Sequence, residues 1–210
     1  PFGFDQSIWE KLKKRSPKYD VSFVGGLNLY DGGHYSRLEL LDVLRKSGNL
    51  DLFISGIQWN KKSFYRQLIY LLKKRRFSTL KKWLKIKAAN RDEAYGLAMY
   101  QAFADSKITI NTHINHARDK AANIRLFEAT GAGTCLLTDW KDNLKDYFKI
   151  DEEIVTYKSA GECLEKVKYL LENDDHRRQI TQAGQKRTLE EYSYGPVSYT
   201  HLTLPTMMSV

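Results

Sequence analysis

Long apolar runs are missing from this chain. No stretch approaches the roughly 20 consecutive apolar residues needed to cross a bilayer, so the sequence offers no membrane-spanning helix. The start, Pro1-Phe2-Gly3-Phe4-Asp5, lacks the charged-then-apolar pattern of a secretory signal, and there is no initiating Met. An intracellular protein is expected on these grounds. Cysteine is nearly absent. Cys135 sits in an apolar run and Cys163 on an apolar helix face, where a thiol behaves as a small hydrophobe, so a disulfide framework is not expected. No G-x-G-x-x-G string occurs, which removes support for a dinucleotide fingerprint. Charge is missing altogether from Pro196 to Val210, directly after a segment dense in Lys, Arg and Glu. That tail reads as translated adapter sequence outside the fold, against the alternative of an apolar extension packed on the domain.

What is present suits a single domain, or a domain plus a fragment: 210 residues, 42% apolar, with thirteen Tyr, nine Phe and four Trp to fill a core. The excess of basic over acidic residues, 34 against 25, favours anionic partners. Residues 1–19 read as a connecting segment, and 20–195 as the folded unit. Asp20–Gly26 is a β-branched and aromatic run stopped by two glycines, the mark of a buried parallel strand entering a tight turn. Further strands are expected at 51–56, 107–111, 134–138 and 153–157. Helices are expected from about Gly33, in two patterns over 61–87, over 92–103 with Leu97, Ala98, Ala102 and Phe103 buried, and over 123–131. Ser159 and Glu162 form a capping box ahead of a helix whose apolar positions are Cys163, Leu164, Val167, Leu170 and Leu171. Strands alternating with helices predict an α/β, Rossmann-like parallel sheet covered on both faces. Such sheets bind ligands beyond the carboxyl ends of their strands, here after Gly25, Gly56, Asn111 and Thr138.

Two segments can carry chemistry there. Gly25 and Gly26, followed by a helix start holding His34 and Arg37, offer close backbone approach, free helix N–H groups and a guanidinium fork to a diphosphate. The alternative is a plain glycine turn with Arg37 solvated. The second segment runs from Asn123 to Asp139 (NIRLFEATGAGTCLLTD) and includes Arg125, Glu128, Thr138 and Asp139. A carboxylate at Glu128 can accept both hydroxyls of a ribose, or can simply pair with Arg125 three residues earlier.

That string resembles the CgeB-like, group-1 glycosyltransferases of GT-B fold. Gly96-Leu97-Ala98-Met99-Tyr100-Gln101 and Ser106-Lys107-Ile108 share the resemblance. So do Tyr19 to Gly25 with His34 and Arg37, Asp151 to Tyr157, and Ala183-Gly184 before Glu190-Glu191-Tyr192. It runs from about Pro1 to Tyr194 and covers only the C-terminal half of such enzymes. It implies a domain that binds a nucleotide-diphosphate sugar for transfer to an unidentified acceptor, with an acceptor-binding domain elsewhere. The leaving diphosphate would be met by Arg37 and helix N-termini in place of a metal ion. Many retaining relatives carry two glutamates eight apart. Glu128 matches the later one, but Lys120 stands at the earlier position with Asp119 beside it, which leaves the stereochemical outcome open.

His113, His116 and Asp119 have a spacing a metal could use on a helix, but the segment follows a strand at the binding edge, so His113 and Asp119 are expected to contact the sugar, against the alternative of histidines solvated in a loop. The run Leu71 to Lys87 (LLKKRRFSTLKKWLKIK) places Phe77, Leu80, Trp83 and Leu84 on one helical face among lysines and arginines. It suits peripheral contact with an anionic membrane, or a solvated face over a packed stripe. A non-catalytic module holding membrane or nucleic acid is the rival reading. Aromatic interleaving is the only support for nucleic acid, and no recognition signature accompanies it.

Overall fold

The computed structural model describes residues 3–13, 15–29, 33–48, 50–54, 61–91, 93–113, 120–121 and 123–194, with backbone alone for 61–63. Expectations placed on Gly56, His116, Asp119 and the tail from Pro196 fall outside these residues. Five strands form the sheet: β1 Tyr19–Gly25, β2 Leu50–Ile54, β3 Ser106–Asn111, β4 Cys135–Asp139 and β5 Val155–Tyr157. All neighbours pair in parallel, in the order β2-β1-β3-β4-β5. Each predicted strand is present, and among the described residues the ends shift by one or two positions.

Strand alternation divides the core into two layers. Val21, Phe23, Ile108, Ile110, Cys135 and Leu137 join one cluster, completed by α2 (Tyr35–Arg45), α3 (Lys61–Lys73), α4 (Phe77–Ala88) and α7 (Ala160–Glu172). Val24, Phe53 and Leu136 face the other way, into a cluster with α5 (Leu97–Ala104) and α6 (Arg125–Gly131). The last helix, α8 (Asp174–Glu191), packs against α6 and β4. Gly184 of α8 also lies against the turn before β5, where a Cβ would stand 2.2 Å from the Glu153 carbonyl oxygen.

The first residues belong to this packing. α1 (Gln6–Lys11) is capped by Asp5, whose side chain accepts the Ser7 N–H at 2.9 Å. Phe4 is 1% exposed, and its N–H donates to Tyr192 O at 2.7 Å. Its ring lies where a Cβ on Gly131 would be, 2.4 Å away, so only glycine admits it. The capping box at α7 is present in a shifted form. Ser159 accepts the Glu162 N–H, and the Glu162 carboxylate accepts the Lys158 N–H at 2.8 Å, one residue before the cap.

Two helices differ from expectation. The pattern from Asp92 becomes helical only at Leu97, after Gly96 at φ 52°. Met99, Ala102 and Phe103, at i, i+3 and i+4, turn inward, so Leu97 and Ala98 stand exposed on the first turn. In α4 the expected stripe is divided. Trp83 and Ile86 are fully buried against α2 and Phe64, whereas Phe77 and Leu84, seven apart, are 62% and 40% exposed. Among the described residues, no helix is long and apolar enough to cross a membrane.

Candidate functional site

The chain turns from one side of β1 to the other between β2 and β3, so the strand order reverses at the β1–β3 pair. A crevice opens beyond the carboxyl ends at such a reversal. Arg37 lies there, reached from the first turn of α2. One terminal nitrogen donates to Gly26 O at 2.6 Å, just past β1, and the other to Thr112 O at 2.7 Å, just past β3. The guanidinium therefore ties together the two loops that leave the reversal point. The fork expected to face a diphosphate is instead turned onto backbone, with only Nε lacking a partner among the described residues. Burial pulls the Arg37 pKa down to about 10; Tyr157 and Asp139 oppose that shift, and like-charged Arg125 adds to it. Arg37 stays a cation at neutral pH. His34 is the N-cap residue of α2, and its Nδ1 accepts the Asn28 N–H at 2.7 Å.

Beside this staple, a cleft of about 460 Å³ is lined by Ser36, Glu39 and Leu40 of α2, by Thr112, His113, Asp139 and Lys141, and by the β5–α7 turn with Tyr157, Lys158, Ser159 and Ala160. His113 and Asp139 form its polar centre. Asp139 Oδ1 accepts from His113 Nδ1 at 2.7 Å and from the His113 backbone N–H at 2.9 Å, while Lys141 Nζ lies 3.6 Å from Oδ2. Burial alone would raise the Asp139 pKa. The bonds from His113 and the charge on Lys141 outweigh it and hold the carboxyl below the usual range. With Nδ1–H given to the carboxylate, Nε2 is the ring nitrogen left for a further hydrogen bond. That atom is buried and has no partner among the described residues.

Thr138 and Asn123 act as positioning groups. Thr138 is fully buried, and its hydroxyl accepts from Asn111 Nδ2 at 2.9 Å. Asn123 donates to Asn111 Oδ1 at 2.9 Å and accepts the Arg125 N–H at 2.8 Å, so it fixes the start of α6 to the end of β3. Arg125 and Glu128 sit on α6 in a neighbouring cluster outside the cleft lining. Glu128 is 7% exposed; one oxygen takes Arg125 Nη1 and the other the Tyr100 hydroxyl at 3.0 Å. Both oxygens expected for a ribose thus have protein partners here. Burial foremost, and then the Glu128 charge and hydrogen bond, push the Tyr100 pKa up.

Lys141, Lys158, Tyr157 and Glu39 were not singled out from the sequence. The available signal was position: Lys141 stands two residues and Lys158 one residue past strand ends that face the crevice. Tyr157 donates to Asn111 O at 2.7 Å and closes the floor of the site. Among the described residues, no three His, Cys, Asp or Glu side chains stand together as a metal set. Lys141 and Lys158 line the cleft together with the carboxylates of Glu39 and Asp139.

No curated protein matches the chain. Solved structures do. HepE of Anabaena in complex with UDP-glucose superposes with a TM-score of 0.64 at 12% identity, over 96% of this chain and 56% of that one. Sucrose-phosphate synthase of Thermosynechococcus elongatus gives 0.63 at 13%, over 96% and 50%. The C-terminal domain of the group 1 glycosyl transferase LpcC of Francisella tularensis gives 0.53 at 16%, over 92% and 95%. This chain spans about half the length of the first two and nearly all of the isolated C-terminal domain. The fold is therefore the Rossmann-like C-terminal half of the GT-B architecture. The sequence profile described as glycosyl transferase-like matches residues 9–197, from α1 past the end of α8, and the chain accordingly belongs to that glycosyltransferase family.

Proposed function

We propose that this domain binds a nucleotide-diphosphate sugar at the carboxyl edge of its sheet and serves its transfer to an acceptor held by a second domain. The observation that carries the reading is the buried Nε2 of His113, without a partner among the described residues, beside a cleft that Lys141 and Lys158 help to line where the strand order reverses. A sugar hydroxyl is a donor suited to that nitrogen. The diphosphate would lie between Lys141, Lys158 and the Ala160 and Gly161 N–H groups that open α7, ahead of the Glu162 N–H that Ser159 caps. Arg37 contributes charge from below while holding the loops. No metal ion is needed in this arrangement, because protein cations meet the leaving group. The nucleoside would extend toward Glu128, with its ribose replacing the Tyr100 hydroxyl as the donor to one carboxylate oxygen. The UDP-glucose held by HepE supports this ligand class. Within the family, the sequence resemblance stated above supports the CgeB-like subtype.

Titration calorimetry with UDP-glucose, UDP and other nucleotide sugars tests the reading. Binding of a nucleotide sugar, weakened by His113→Ala, is expected. A folded chain that binds no nucleoside diphosphate and no nucleotide sugar would sink it. Transfer itself needs both halves of a cleft, since positioning of the reacting atoms supplies much of the rate. Rapid transfer by this chain alone would overturn the two-domain requirement.

A further inference from the structure

We infer that α3 and α4 form a docking surface for an anionic lipid bilayer. The charge of the chain is concentrated there. Between residues 61 and 88 lie eleven of the 34 basic residues and none of the 25 acidic ones, which leaves 23 basic against 25 acidic everywhere else. The excess positive charge thus belongs to one pair of helices and not to the domain as a whole. The two run antiparallel: Phe64 near the start of α3 stacks on Trp83 of α4 at 5.2 Å between centroids, and Lys87 Nζ lies 4.2 Å from the Phe64 ring centre.

Each helix turns one side to the domain and keeps an apolar stripe on the other. On α3 the buried side is Gln67 and Leu71, while Tyr65, Ile69 and Leu72, at i, i+4 and i+7, are 59%, 50% and 43% exposed. On α4 the buried side is Trp83 and Ile86, and Phe77 and Leu84 point outward. Beside these stripes stand Lys73, Lys74, Arg75, Lys81 and Lys85, all exposed and none in an ion pair with a described residue. The connection between the helices adds a further cation where glycine is the usual choice. Arg75 adopts φ 52°, the left-handed conformation that ends a helix most easily in glycine.

Apolar stripes flanked by unpaired cations match the boundary of an anionic bilayer, where the stripe enters the acyl edge and the cations meet headgroups. A nucleic-acid backbone would use the cations and leave Ile69, Leu72 and Leu84 in water. Lys82 of α4 pairs with Glu39, which lines the cleft, so a docked bilayer would lie one helix away from the donor site. The inference is independent of the donor reading, since nucleotide binding and vesicle binding are measured apart.

The test is sedimentation of the full chain with phosphatidylcholine vesicles, with and without phosphatidylserine, at physiological salt. Binding is expected only with the anionic lipid. Each basic residue near such a surface is worth roughly fivefold in partitioning, so changing Lys73, Lys74, Lys81 and Lys85 together to Gln should lower it by about a hundredfold or more. Phe77→Ser with Leu84→Ser should lower it by about tenfold or more while leaving the circular dichroism spectrum intact, because both side chains are exposed. Arg75→Gly should weaken binding while raising thermal stability, which separates loss of docking from loss of fold. Absence of binding, equal binding to neutral vesicles, indifference to either set of substitutions, or displacement of the vesicles by a short RNA duplex would each overturn the inference.

Discussion

Asp139 Oδ1 accepts two hydrogen bonds from one residue, the Nδ1–H and the backbone N–H of His113, at 2.7 and 2.9 Å. The pair joins the loop after β3 to the end of β4 and fixes the imidazole tautomer, with Nε2 buried and without a partner among the described residues. Its strength depends on the carboxylate staying ionised.

That dependence gives a pH prediction. Asp139 has a folded-state pKa below its ordinary value: burial would raise it, but the His113 bonds and Lys141 prevail. A carboxylate with a depressed folded pKa contributes stability that is fully present above its unfolded value of about 4. The contribution is lost as pH falls through the lower folded value. The stability gap between the parent and Asp139→Asn should therefore be constant near neutrality and close in acid. Urea denaturation from neutral pH down into the acid range checks this. A gap that is flat with pH would mean that Asp139 acts only through its shape.

Gly184 is set against a backbone carbonyl and not against a flexible side chain, so its neighbour has little room to yield. Gly184→Ala should destabilise by about 1–3 kcal/mol through overpacking, which for a chain of this size lowers Tm by roughly 2–10 °C. Gly161→Ala is the control, because a Cβ there meets only Ser159 Oγ at 3.9 Å. A differential scan should show a loss for the first and little change for the second. Equal behaviour would show that α8 can shift away from Glu153.

Arg37 carries a third prediction. It holds two carbonyls from loops separated by 86 residues of chain, Gly26 and Thr112. Hydrogen bonds with a charged partner contribute about 1.5–3 kcal/mol each, and a lysine cannot span both acceptors with one fork. Arg37→Lys should therefore lower Tm by several degrees despite keeping the charge, and Arg37→Ala by more. If lysine restores full stability, the two-loop staple is not what Arg37 does.

Local pattern made the strands, the sheet and the α7 cap legible in the sequence. The run Val21 to Val24 reads as a buried parallel strand on its own, and Ser159 with Glu162 announces a helix start within four residues. Other features depend on residues that meet only in the folded chain. Arg37 invites a phosphate on its chemistry, and nothing near it in sequence reveals that Thr112 O, 75 residues on, takes half of its fork. His113 and Asp139 were each visible as candidates, yet their pairing spans 26 residues. The division of the α4 stripe had the same origin: helical spacing groups Phe77 with Trp83, but which side turns inward is decided by α2 and Phe64.

Glu128 supports the last prediction. Spacing shows its neighbour Arg125, but Tyr100 reaches it from α5, 28 residues away. A ribose entering this cluster must replace the tyrosine hydroxyl as donor. Glu128→Gln keeps the shape and weakens a charge-assisted bond, so affinity for a ribonucleoside diphosphate should fall by roughly tenfold or more. The 2′-deoxy nucleotide lacks one of the hydroxyls and should lose less from the same substitution. Tyr100→Phe removes the competitor and should leave ribonucleotide affinity unchanged or improved, while Arg37→Ala should weaken both nucleotides alike. Calorimetry with the four proteins and two ligands separates these patterns. Equal losses for ribose and deoxyribose would mean that Glu128 only anchors α6 to α5 through Arg125 and Tyr100. In that case the nucleoside must be placed elsewhere along the strand ends.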